Sequence, residues 1–250
     1  MAATAAADLR FWFDPVCPFA WLTSRWVHEV VAARGYAVEW RLVSLRLLNA
    51  DVDYDSHFPA GYEAGHGAGL RLLRVCAAAR DAHGPEPLGA LYTALGTRIW
   101  DAEPVEDPMA HQARLASVET VTTALAEAGL PGELATALDD ERWDADVQAD
   151  TDLALSLTGR DVGTPIIQVD PPDGTGFFGP VVSRVPRGEE AVELWDHVVG
   201  LARFPGFAEL KRSLREQPRL RVLGVADDGA AVAEEDWHAG SRAGDRPTQD

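Results

Sequence analysis

The chain has 250 residues, 46% of them hydrophobic and 25% charged, which is enough apolar material for one large domain or a core domain carrying an inserted subdomain. Its formal net charge of −18 gives a surface that repels phosphate backbones and anionic lipid; without a local basic patch, which the sequence lacks, nucleic-acid and membrane-surface binding are excluded. Two cysteines cannot form a disulfide framework, no secretory leader or eighteen-residue apolar run is visible, and the protein is expected in the cytoplasm with both thiols reduced.

Leu9 to Asp14 is a short apolar run that reads as a buried strand, and Ala37 to Leu45 alternates well enough to be a second. Between them, Leu22, Trp26, Val27, Val30 and Val31 recur on one helical face from Pro18 to Arg34, and Gly35 stands where a helix cap belongs. A strand, helix and strand joined by short links predict a βαβ unit with parallel strands. Helical patterns then fill Ala60 to Ala82, Pro87 to Trp100, Asp107 to Gly129, Pro131 to Leu138 and Arg142 to Leu157. Strand character returns at Thr164 to Val169, the turn Asp170 to Gly174 follows, and Gly176 to Val181 reads as a hairpin partner. A last helix opens near Gly188 with Glu189 and Glu190 in its first turn and runs to about Leu201, and Phe207 to Arg215 adds a further turn or two. The predicted class is α/β: residues 8–55 and 160–216 form one domain, 56–159 an all-helical insertion, and 217–250 an acidic, largely disordered tail in which Val222, Leu223 and Trp237 dock locally.

Chemistry concentrates at Asp14-Pro15-Val16-Cys17-Pro18-Phe19-Ala20-Trp21, where a strand hands a cysteine to a helix start. Unpaired backbone N–H groups and the positive end of the helix dipole favour a thiolate there, so the pKa of Cys17 is expected to fall, and Pro18 fits a first turn that needs no N–H from it. A dithiol protein would carry its second cysteine at position 20, but this chain has Ala20, so redox chemistry must use one sulfur at a time. The plainer alternative is a buried, inert cysteine beside a proline. Thr164-Pro165, at the head of a strand, is the second half of the constellation. A cis bond there would offer the Thr164 backbone to a thiol substrate lying beside Cys17, whereas a trans proline would merely begin an edge strand.

Other candidates are weaker. Cys76 lies in an apolar helical run and reads as a core cysteine; it could resolve a disulfide only with its Cα within about 7 Å of that of Cys17. His28, His57, His66, His83, His111, His197 and His238 show no metal-ligand spacing, so no metal is expected. The glycine-rich stretch from Gly61 to Gly69 lacks the lysine of a phosphate loop, and Trp12, Trp26 and Trp195 read as core aromatics.

The order of these elements resembles the DsbA branch of the thioredoxin superfamily. Residues 11–18, 21–26, 91–99, 161–165 and 177–190 further resemble the actinobacterial mycothiol-dependent nitroreductases, with a likeness extending from about Leu9 to Arg215. The resemblance implies a thioredoxin-like fold and a cytoplasmic reductase whose Cys17 forms a mixed disulfide with mycothiol, a co-substrate rather than a tightly bound cofactor. It implies a low-molecular-weight thiol and a small-molecule or disulfide substrate as partners, with no nucleic acid, no membrane and room for a homodimer. By position, Thr164 and Pro165 become the substrate loop, Phe19 replaces the usual Trp, and Asn49 and Tyr62 match pocket-lining positions; their plainer readings are a solvent-facing amide and a helix-packing phenol. The departure is Ala20, where the family commonly has cysteine, so release of Cys17 falls to a second external thiol. Two other readings use the same scaffold: a thiol-cofactor transferase or isomerase of kappa glutathione transferase or hydroxychromene-carboxylate isomerase type, and a redox-inactive binding module.

Overall fold

A computed structural model describes residues 7–211 and 216–225. Strand β1 (Leu9–Phe13) pairs in parallel with β2 (Val38–Leu42), in the register Leu9 to Val38 and Phe13 to Leu42, and α1 (Pro18–Arg34) makes the crossover. On its other edge β1 pairs antiparallel with β3 (Ile166–Val169), which continues the sheet to β4 (Gly176–Phe178), giving the order β2-β1-β3-β4. This is the thioredoxin-like arrangement, an α/β fold.

Two-residue periodicity assigns the faces of β1. Leu9, Phe11 and Phe13 enter the main core with Leu22, Trp26, Val27 and Val30 of α1, while Trp12 turns to the opposite face and packs with Val43, Ala154 and Ile166. All of these side chains are sealed from solvent. Trp26 also donates its indole N–H to the Ala191 carbonyl of α9 (Gly188–Ala202) at 2.8 Å, locking that last helix onto α1.

Between β2 and β3 the chain is helical: α2 (Leu45–Leu48), α3 (Tyr54–His57), α4 (Tyr62–His83), α5 (Leu88–Trp100), α6 (Pro108–Leu115), α7 (Val118–Glu127) and α8 (Asp144–Thr158). Asp150 of α8 ties this set to the sheet, accepting from Arg41 Nη1 at 2.7 Å, from the Leu42 N–H at 3.1 Å and from Arg80 of α4. One buried carboxylate thus joins three elements.

The structure departs from the sequence expectations at several places. The single helix expected over Asp107 to Gly129 is two, because Ser117 takes an extended conformation and its hydroxyl caps Thr120 N at 3.3 Å, restarting the helix. Residues Gly132–Asp139 form 3₁₀ rather than α-helix, and α2 and α3 are short helices that periodicity could not reveal. Residues 207–211 are irregular instead of helical, and Arg212 to Arg215 lie outside the described residues. Within the expected tail, Val222 and Leu223 dock as expected, but the docked stretch is longer, residues 217–225: Leu220 is buried along with Val222, Arg219 N–H donates to the Ser183 carbonyl at 2.7 Å, and Val105 N–H donates to the Val222 carbonyl at 3.1 Å. Two apolar side chains in alternation are enough to pin that strap, whereas Trp237 and its neighbours fall outside the described residues.

Candidate active site around Cys17

Cys17 is the N-cap of α1, with extended dihedrals, Pro18 in the first turn, and its sulfur accepting from Ala20 N–H at 3.4 Å. The approach to it is held on three sides. The Asp14 carbonyl accepts from Cys17 N–H at 3.0 Å, the Asp14 carboxylate accepts from Val16 N–H at 3.1 Å and Leu45 N–H at 2.8 Å, and the Pro15 carbonyl accepts from the Trp100 indole at 3.0 Å. Asp14 therefore links β1, the Cys17 turn and the start of α2. Gly69 of α4 lies against it, and a β-carbon there would come within 2.6 Å of both Asp14 Oδ1 and Val16 Cγ2.

Across the sulfur stands Thr164. Its peptide bond to Pro165 is cis, its hydroxyl donates to the Trp12 carbonyl at 3.4 Å, and its own carbonyl accepts the Cys17 S–H at 3.4 Å. The next loop is fixed by Gly179 N–H on the Pro165 carbonyl at 2.9 Å and the Thr23 hydroxyl on the Pro180 carbonyl at 2.8 Å. The two halves of the constellation read from the sequence thus meet at one sulfur atom.

The charge state of that sulfur corrects the sequence expectation. Cys17 is only 5% exposed, and burial pushes its thiol up to about 12; the nearby Asp14 charge pushes in the same direction, and the N–H groups of Ala20 and Phe19 pull against both without prevailing. The helix terminus acts as expected in kind, but desolvation is the larger effect here. The resting group is a neutral thiol that donates one hydrogen bond and accepts another. Burial likewise pushes Asp14 up to about 7, opposed by the N–H groups of Leu45 and Val16.

The other expected site residues divide. Pro18 and Phe19 are half-buried beside the sulfur, Ala20 is sealed at the position of the missing thiol, and Trp21 is a core side chain stacked under the Arg25 guanidinium at 4.0 Å and packed against Gly96. Tyr62 lies near the sulfur: burial raises its phenol, and charge on Cys17 would raise it further. Asn49 caps α2 and donates one amide N–H to the Leu45 carbonyl at 2.7 Å, which fixes its side chain against its own helix. Cys76 is sealed in the core, a free thiol pushed up by burial to about 12. Among the described residues no cluster of His, Cys, Asp or Glu could hold a metal, and no helix is long and apolar enough to cross a membrane.

Sequence reasoning missed the aromatic group built from α3 and the start of α4: Tyr54, Phe58, Tyr62 and His66, with the Tyr54 hydroxyl 3.0 Å from His66 Nδ1. The signal was present in the spacing of Tyr62, His66 and Gly69, which places all three on one helical face.

A model of the mycothiol-dependent nitroreductase Rv2466c family matches residues 16–212. The chain belongs to that family. That family is one of thiol-dependent oxidoreductases. The uncharacterized protein Rv2286c of Mycobacterium tuberculosis is 33% identical over 202 residues, 81% of this chain and 80% of that protein. Among solved structures, the probable DsbA oxidoreductase SCO1869 from Streptomyces coelicolor aligns with TM-score 0.49 and 17% identity, covering 83% of this chain and 94% of that one. The cytosolic disulfide reductase DsbM from Pseudomonas aeruginosa aligns with TM-score 0.47 and 17% identity, covering 78% and 99%.

Proposed function

We propose that this family member is a cytoplasmic thiol-disulfide oxidoreductase that works by a monothiol route through Cys17, with mycothiol as reductant and with nitro or other electrophilic compounds among its substrates. The observation that carries the reading is the contact between Cys17 Sγ and the Thr164 carbonyl, with Ala20 closing the position from which a resolving thiol would act.

The steps balance without a further reagent. Cys17 attacks one sulfur of a substrate disulfide; the substrate S–S bond breaks, a Cys17–substrate disulfide forms, and the departing thiolate takes up the proton that Cys17 loses. A mycothiol thiolate then attacks the substrate sulfur of the mixed disulfide; the Cys17–substrate bond breaks, a mycothiol–substrate disulfide forms, and Cys17 leaves as a thiolate that takes up the proton mycothiol lost. For an electrophilic substrate, two mycothiols become one disulfide and release two electrons and two protons, which the substrate accepts. A substrate N–H that takes the Thr164 carbonyl displaces the S–H from it and leaves the sulfur facing only the helix N–H groups, a change that favours ionisation.

The protonated resting thiol also favours a second reading, in which Cys17 donates its S–H to a bound cofactor thiol and never bonds to it, as in the kappa transferase and isomerase type. Turnover separates the two. In a coupled assay with reduced mycothiol and a disulfide or nitroaromatic substrate, Cys17→Ser abolishes activity under the monothiol reading; a serine enzyme retaining a tenth or more of the rate contradicts it, because a hydroxyl can replace a hydrogen-bond donor but not a sulfur nucleophile.

A further inference from the structure

Beside Cys17 lies a group of rings that the steps above do not use. Phe58 and Tyr62 stack nearly parallel, with centroids 5.5 Å apart and planes at 10°, and both are half-buried. His66 meets both rings edge-on, at 5.5 and 5.7 Å, and pairs with the Tyr54 hydroxyl at 3.0 Å. His66 and Tyr54 are each 8% exposed. Tyr62, His66 and Gly69 share one face of α4, and that face spans the site, with Tyr62 close to Cys17 and Gly69 against Asp14 and Val16.

The basic groups of this corner are neutral or paired. Burial, followed by the nearby Arg46 charge, holds His66 down at about 4, so the imidazole is neutral at working pH. With the Tyr54 O–H donating to Nδ1, the neutral ring carries its hydrogen on Nε2, which bonds to no protein group among the described residues. Arg46 lies over the Tyr54 ring at 5.3 Å and is paired with Glu63 at 3.6 Å. A flat apolar plate bordered by uncharged donors and acceptors suits a neutral ligand that has both apolar C–H faces and hydroxyl groups. It suits an anion poorly, since Arg46, the cation over the Tyr54 ring, is paired with Glu63 and His66 is neutral.

Resting on the monothiol reading, we propose that Tyr54, Phe58 and His66, with Tyr62, form the subsite for the hydroxyl-rich ring portion of the low-molecular-weight thiol. Phe58 and Tyr62 provide the stacking surface, His66 Nε2–H binds a ring hydroxyl, and Tyr54 fixes the imidazole orientation. The thiol end of the ligand then faces Cys17, and recognition of its sugar part replaces the proximity that a second cysteine would have given.

The experiment loads Cys17 of the full chain with a chromogenic aryl thiol as a mixed disulfide. It then measures the rate of release by mycothiol and by N-acetylcysteine, which carries the thiol and amide without the rings. The wild-type protein is expected to favour mycothiol at least tenfold, with a saturable rate. Phe58→Leu, His66→Leu and the ring-conserving Tyr54→Phe are each expected to lower the mycothiol-to-N-acetylcysteine ratio at least threefold and to raise the half-saturating mycothiol concentration. A wild-type preference that survives in all three variants, or a loss equal for both thiols, overturns the subsite while leaving the monothiol route standing. A protein that cannot be loaded, or that shows no preference for mycothiol, overturns both.

Discussion

Cys17 and Thr164 are 147 positions apart in sequence, and the S–H of one donates to the carbonyl of the other at 3.4 Å. The contact joins the start of α1 to the entry of β3 and uses the hydrogen of a thiol that burial keeps neutral.

The first consequence concerns resting reactivity. With its pKa pushed up to about 12, Cys17 has far less thiolate at pH 8 than a free cysteine of pKa about 8.5. Alkylation by iodoacetamide at pH 8 is expected to be at least about a hundredfold slower than for free cysteine. Its rate should keep rising to pH 10 without a plateau. A plateau below pH 8 contradicts the buried neutral thiol.

Asp14 offers a pH test with a definite sign. Its folded pKa, about 7, lies above the ordinary carboxylate value of about 3.9, so between those values the folded state holds a proton that the unfolded state has lost. Its stabilising contribution is therefore full below the ordinary value and is lost as pH rises through about 7, at up to about 1.4 kcal/mol per pH unit. Asp14→Asn should flatten that slope in urea denaturation and make Cys17 alkylate faster at pH 8, because the like charge beside it is gone. The variant also loses one acceptor for Val16 or Leu45 N–H, which costs about 1–3 kcal/mol.

Ala20→Cys restores a second sulfur at a sealed position one helical turn from Cys17. The variant is expected to oxidise to an internal disulfide, read as a loss of about 2 Da in intact mass. It should expel a bound mycothiol without added thiol. A persistent adduct in this variant would mean that position 20 cannot reach the Cys17 sulfur.

Stability depends on Asp150. Replacing it by Ala leaves Arg41 and Arg80 facing a buried void and the Leu42 N–H without its acceptor. Breaking such a pair costs about 3–5 kcal/mol. In a chain of this size that lowers Tm by about 10 °C, measurable by calorimetry, whereas a loss under about 1 kcal/mol would show the network to be dispensable.

Much of the scaffold was readable in the residues themselves. Alternation in Leu9 to Phe13, the α1 face from Leu22 to Val31 and the Gly35 cap define a βαβ unit locally, and the structure contains it with Gly35 at φ 70°. The Cys17-Pro18 helix start was equally legible, because capping is a short-range matter. The sulfur's charge state was not, since the burial of Cys17 depends on tertiary contacts such as that with Thr164, distant in sequence. The same limit hid the break at Ser117, where a cap outweighs continuing apolar periodicity, and the burial of Leu220. It also hid His66, whose partner Tyr54 lies on a short helix with no periodic signature.

A monothiol route requires a covalent link between Cys17 and the co-substrate, and intact-mass spectrometry tests for it most directly. After incubation with oxidised mycothiol, the protein is expected to carry one mycothiol adduct, mapped to Cys17, that persists in the absence of free thiol and disappears when reduced mycothiol is added. An unmodified protein under those conditions, or an adduct carried by Cys76 instead, would contradict it.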